Sequence, residues 1–321
     1  MPPAFLITID TEGDNLWARP RTVSTRNAGF MARFQAAAEK HGWRPTWLVN
    51  WEMAHDLQCV ELLRDVAGRG VGEIGLHLHA WDTPPLISLT EDDTRHHPYL
   101  TEYPEPMMKE KILRLAGKLE EVFQQPVRSH RGGRWAFNGI YARLLRERGL
   151  TADCSVCPGV DWRSTKGAPK GSGGPDYRDA PTTPYFVGER NITQPASAPM
   201  CESLLEVPMT TGANRAGWQR AVQEVFSPRH FWLRPNGRNG AALRERVDEA
   251  VEQKKSHAMF MLHSSELMPA GSPTFQNDDS IERLYDDLEA LFAHAARRGC
   301  RPATVDQFAQ EWRAAAVQSQ A

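Results

Sequence analysis

Two short runs in this chain carry acidic and imidazole side chains at the spacing a strand uses to point groups the same way. In Thr8-Ile9-Asp10-Thr11-Glu12-Gly13-Asp14, Asp10 and Glu12 stand two residues apart, on one face of an extended segment. Carboxylates that close repel, and a cation is the usual way to keep both ionised. The plainer alternative is a solvated loop in which Asp10 caps the next turn. In Glu73-Ile74-Gly75-Leu76-His77-Leu78-His79-Ala80-Trp81-Asp82, His77 and His79 share a face, and neutral imidazoles are the commonest zinc ligands. With Glu12 they make the two-histidine, one-carboxylate set of catalytic zinc sites, which leaves a position open for water. The expected cofactor is a divalent metal ion, Zn2+ first.

A third run, His257-Ala258-Met259-Phe260-Met261-Leu262-His263, is apolar enough for a buried strand and ends in a histidine. An imidazole there suits proton donation to a departing amine; the alternatives are a further metal ligand or a hydrogen-bonding histidine. Ser129-His130-Arg131-Gly132-Gly133-Arg134-Trp135 pairs a bend-permitting glycine doublet with Arg131, which can keep Asp10 ionised as a base through a charge-assisted contact. Alone, Arg131 would read as a surface ion pair. Asp161 and Trp162 open a long loop, and Trp81, Trp135 and Trp162 would suit sugar stacking, although core packing is the commoner fate of tryptophan. His96-His97, Asp92-Asp93 and Lys254-Lys255 read as solvated surface. The five cysteines are scattered, and Cys154-x-x-Cys157, without a second such pair, reads as ordinary reduced thiols.

Elements able to position these groups alternate along the chain. Strands are expected at Phe5–Asp10, Thr46–Asn50, Gly72–His79, Val127–Arg131, Ala152–Val156, Leu204–Met209 and Met259–His263, with a short further element opening at Val305. Helical spacing of apolar residues marks segments around Met31, Leu63, Leu115, Leu144, Val247 and Leu288. Their stops are expected near Gly42, Gly68, Gly149 and Gly299, with Asn138 and Ser280 as start signals. Alternating strands and helices predict an α/β fold, a distorted (β/α) barrel of about seven parallel strands with chemistry at the C-terminal strand ends. A Pro-, Gly-, Ser- and Thr-rich stretch at 157–200 is expected to be a substrate-side loop in one domain spanning 1–321.

Composition narrows the partners. The chain has 321 residues, 40% apolar and 24% charged, with a net charge of −2, so it lacks the basic footprint of a nucleic-acid or anionic-membrane binder. No window approaches a membrane span. Met1 to Leu6 show neither a basic nor a long apolar leader, which predicts a cytoplasmic location, and the near-neutral charge points to a small or neutral molecule as partner.

In order and over most of its length, the chain resembles the NodB-homology family of polysaccharide deacetylases, the carbohydrate esterase type. Asp10 and Glu12 match a spaced form of the family's opening motif, which implies Asp10 as base and Glu12 as metal ligand. Glu73 to His77 resemble the second motif and Arg131 matches the arginine that braces the base. Asp161-Trp162 sit where a hydrophobic wall is supplied, and Leu262-His263 resemble the motif of the general acid. The resemblance implies removal of an acetyl group from an amide nitrogen, on an N-acetylated sugar or polysaccharide intermediate. Two positions depart from it. Trp81 stands where the second metal histidine normally lies, so His79 or Asp82 must substitute, and Glu12 is longer than the usual aspartate. A glycoside hydrolase on a related barrel, using Asp10 with a distant carboxylate, and a non-catalytic sugar-binding relative are the alternatives.

Overall fold

The computed structural model describes residues 2–188, 191–196, 203–213 and 230–318. The strands are β1 (Ala4–Thr11), β2 (Thr46–Val49), β3 (Glu73–Leu78), β4 (Ser129–Gly132), β5 (Ala152–Asp153), β6 (Tyr185–Phe186), β7 (Leu205–Glu206), β8 (Thr211–Ala213), β9 (His230–Trp232), β10 (His257–His263) and β11 (Arg301–Pro302). Helices α1 (Met31–Lys40), α2 (Leu57–Gly68), α3 (Asp93–His96), α4 (Glu105–Phe123), α5 (Gly139–Arg148), α6 (Gly240–Glu252), α7 (Asp278–Arg297) and α8 (Val305–Gln318) lie between and after them.

Among the described residues, seven strands run parallel in the order β10-β1-β2-β3-β4-β5-β7, β11 pairs parallel with β1 off that path, and β6 pairs antiparallel along the far edge. This curled sheet with helices around it is the expected distorted (β/α) barrel. Both faces of β1 are buried along its length, as a parallel strand with helices outside and side chains inside requires. Outside, Phe5 meets Trp43 at 5.0 Å and Phe34 meets Trp47 at 5.8 Å, which ties α1 to the sheet. Between β7 and β10 the sheet is joined by single bonds rather than a ladder. His257 Nε2 donates to the Pro208 carbonyl at 2.8 Å, Met259 N to Thr210 Oγ1 at 2.8 Å, and Met261 N to the Leu233 carbonyl at 3.2 Å.

Helix ends follow local chemistry. Asn138 is extended and its side chain accepts from Tyr141 N at 2.8 Å, while Gly149 closes α5 at φ 95°. Asn138→Ala is expected to cost about 1 kcal/mol, read as a lower urea midpoint with unchanged slope. At α7 the start lies earlier than expected: Asn277 caps the helix and Ser280 sits inside its first turn. Val305 opens not a short element but the 14-residue α8. The 157–200 stretch is pinned at several points among its described residues. Tyr177 N donates to the Val160 carbonyl at 2.8 Å, Asp161 bridges Asp176, and β6 joins the main sheet. Cys154 and Cys157 are buried free thiols, burial pushing both well up from the usual thiol range; Cys201 lies outside the described residues.

Candidate active site

Ladder register builds the site. Asp10 on β1 is paired with His263 on β10, and His77 on β3 with Arg131 on β4, all at the C-terminal strand ends. Thr8, Asp10 and Glu12 follow one face by strand alternation. Glu12 lies just past β1, where Ser264 Oγ bonds both its backbone N and its carbonyl at 3.1 Å, and Asn27 Nδ2 donates to the same carbonyl at 2.9 Å.

Asp10 is 3% exposed and Arg131 fully buried, so neither charge is stable without the other. Arg131 Nη1 donates to Asp10 Oδ1 at 2.6 Å, Nη2 to Thr8 Oγ1 at 2.8 Å, and Nε to the Cys154 carbonyl at 3.1 Å. Burial would raise the Asp10 carboxyl, but Arg131 and the neighbouring histidines outweigh it and hold the group below its ordinary value. Asp10 is thus an anion inside a barrel rather than a turn cap in solvent.

Around Glu12 the imidazoles converge. His77 Nε2 lies 3.4 Å and His79 Nε2 3.3 Å from the same atom, Glu12 Oε2. His77 Nδ1 faces the Arg131 carbonyl at 2.9 Å, which makes Nδ1 the donor and leaves the Nε2 lone pair turned to Glu12. Gly133 permits the approach of His79: a Cβ there would stand 2.2 Å from His79 Cδ2 and 2.5 Å from the Leu78 carbonyl oxygen. Two imidazole nitrogens and a carboxylate oxygen, buried and facing one point, are a donor set that fits a divalent ion. Electrostatics agree: burial would lower His79, yet Asp82 and Glu12 raise it to about 10, so the pocket favours positive charge. Asp82 lies on the other side of the ring, 3.7 Å from His79 Nδ1, so His79 rather than Asp82 joins Glu12 and His77.

His263 closes the group from β10. Its Nε2 stands 3.8 Å from Asp10 Oδ2 and 3.9 Å from Glu12 Oε1, and its Nδ1 bonds Glu266 Oε2 at 3.0 Å. Burial would raise Glu266, but Arg234 at 2.9 Å and His263 hold it at about 2. The anionic Glu266 therefore makes Nδ1 a donor and leaves Nε2 facing inward. The Trp17 ring meets His263 edge-on at 4.8 Å.

The aromatic and loop residues sort differently from expectation. Trp135 lies 5.2 Å from the Arg131 guanidinium and groups with Trp162 and Trp232, with ring separations of 6.4, 5.3 and 6.0 Å, as a partly buried wall. Trp81 instead stacks on His79 at 4.4 Å and His97 at 4.0 Å, so its ring braces the imidazoles and is not a free sugar platform. Asp161 is exposed and bound to Arg163 at 2.7 Å in a surface ion cluster with Asp176 and Arg178, not against the reactive groups. His97 is buried rather than solvated, and Asp93 accepts from Leu89 N, Thr90 N and the Tyr103 hydroxyl. Sequence reasoning assigned no role to Glu266, Arg234, Trp17, Trp232 or Glu52. Of these only Glu266, three residues after His263, carried a spacing signal.

No protein-family profile and no curated protein matches the sequence. Solved structures match by shape. A Parabacteroides distasonis protein described as a candidate glycoside hydrolase/deacetylase is 10% identical over 97% of this chain and 71% of its own, with a TM-score of 0.65. The 4-alpha-glucanotransferase of Thermococcus litoralis is 12% identical over 96% of this chain and 40% of its own, with a TM-score of 0.52. The family 4 carbohydrate esterase of Streptomyces lividans, solved with acetate, is 10% identical over 94% and 92%, with a TM-score of 0.45. At these identities the likeness is one of architecture: the chain has the glycoside hydrolase/deacetylase type of (β/α) barrel.

Proposed function

We propose that this chain is a metal-dependent hydrolase that removes an acetyl group from an amide nitrogen, on an N-acetylated sugar or polysaccharide intermediate. The observation that carries the reading is the convergence of the Asp10–Arg131 pair, the Glu12–His77–His79 set and His263 at one rim of the barrel. Glu12, His77 and His79 would hold a divalent cation, with Zn2+ the best match to those donors, which would supply Lewis acidity to an amide carbonyl and to water.

The chain's own groups divide the proton work. Asp10 Oδ1 is committed to Arg131, so Oδ2 is the oxygen that takes the proton of the attacking water. His263 Nε2 holds the proton delivered to the departing nitrogen, with Glu266 fixing the ring. Trp17 beside His263 and Trp135 over Arg131 shield the reacting groups from bulk water, and the Trp135–Trp162–Trp232 wall offers the sugar an aromatic face. The whole chain then serves as a single catalytic domain, with the 157–200 segment as its substrate-side insertion.

A glycosidase would need two free carboxylates about 5–5.5 Å apart across the sugar for a retaining reaction. Here both imidazoles face Glu12, which argues for acyl transfer. The decisive experiment screens N-acetylated sugars for acetate and for reducing ends. Acetate release that is abolished by chelation and restored by zinc is expected. Reducing sugar without acetate would overturn the reading, as would acetate release indifferent to chelation.

A further inference from the structure

The outer face of His79 has no role in the chemistry above. Its Nδ1, on a residue only 3% exposed, makes no hydrogen bond among the described residues. Asp82 Oδ2, 3.7 Å away, and Glu52 Oε2 are likewise buried without a hydrogen-bond partner. Donor atoms of these three residues all lie within 4.8 Å of one another. Buried polar groups this close together and left with unpartnered atoms are a costly arrangement unless something fills the space between them.

We propose that Glu52, Asp82 and His79 Nδ1 form a second divalent-cation site, back to back with the Glu12–His77 pair through the shared imidazole of His79. Two carboxylates neutralise one dication, and one nitrogen with two oxygens suits Zn2+, Mn2+ or Fe2+. The Glu52 carboxylate is anchored by one oxygen. Oε1 accepts from Gly13 N at 2.9 Å, next to Glu12, so Oε2 is left to turn inward. Trp81, stacked on His79, fixes the ring that both sites use. Glu52 also lines an open cleft of about 600 Å³ with Val23, Thr25, Trp51, His55 and Asp56. With both ring nitrogens coordinated, His79 carries no N–H, and binding of the second ion releases that proton to solvent.

The second site shares His79 with the metal set of the proposed hydrolase and to that extent rests on it. The test is zinc content by mass spectrometry after chelator stripping and dialysis at saturating zinc. It compares the wild type with Asp82→Asn, Glu52→Gln and Glu12→Gln, each first checked for a native circular dichroism spectrum. About two ions are expected in the wild type and about one in each variant. Having both Asp82→Asn and Glu52→Gln keeps the test usable should either fail to fold. A wild type with a single ion, kept by Asp82→Asn and Glu52→Gln and lost in Glu12→Gln, overturns the second site and leaves the hydrolase reading standing. A single ion kept by Glu12→Gln and lost in the other two sinks the catalytic metal set instead and supports this one. Absence of bound zinc in every form overturns both.

Discussion

Arg131→Gln is expected to remove about 3–5 kcal/mol of folding stability at neutral pH and to shift the acid limb of the pH–rate profile upward. The size follows from what is left behind. With the guanidinium gone, Asp10 remains buried with its Oδ1 partner lost, and Thr8 Oγ1 loses a donor at 2.8 Å. In the native chain the folded Asp10 carboxyl sits below its ordinary value. Its contribution to stability is therefore present above the unfolded value, near pH 4, and is lost as pH falls through the lower folded value. In the variant only the neighbouring histidines oppose burial, so the folded carboxyl rises and the stability it contributes above about pH 4 shrinks. Urea melts at pH 7 and pH 4 read the first effect, and kcat/KM against pH reads the second. Equal stability loss at both pH values, with an unmoved acid limb, would mean that Arg131 does not hold Asp10 ionised.

His263→Ala is expected to lower kcat by about 10²–10⁴-fold while metal content and thermal midpoint stay as they are. The ring is not in the Glu12–His77–His79 set, and its Nε2 is 3.8–3.9 Å from the nearest carboxylate oxygens, a gap that leaves space for a reacting group. Dependence on the leaving group separates proton donation from positioning. An activated aryl ester, which departs without a proton, should lose far less rate in the variant than an amide. Unchanged amide turnover rejects the acid role, and a loss of bound metal would make His263 a ligand.

Much of this architecture is legible in the residues because parallel strands and amphipathic helices impose periods of their own. β1, β3 and β10 announce themselves by apolar runs, and the reactive groups stand where those runs stop. The short strands β6, β8, β9 and β11 stand in no expected apolar run, whereas β5 and β7, only two residues each, fall within the expected runs Ala152–Val156 and Leu204–Met209. Site residues that contribute through long-range contact were equally silent. Trp17 and Trp232 are remote in sequence from His263 and Trp135, and Glu52 is remote from Asp82 until the fold brings them together. His97 misled because an adjacent pair of histidines suggests solvent. A left-handed backbone at φ 49° and the flat face of Trp81 bury it instead.

The pairing of Asp10 with His263 and of His77 with Arg131 through neighbouring ladders ties reactivity to the mesh of the sheet itself. A single-residue insertion within β1 or β10 would advance one partner by about 3.3 Å and turn it to the opposite side, separating acid from base in one stroke. Length changes in the connectors leave that mesh untouched. Tolerance to insertion is therefore concentrated in the loops, where length can drift while the Asp10–His263 and His77–Arg131 pairings stay aligned.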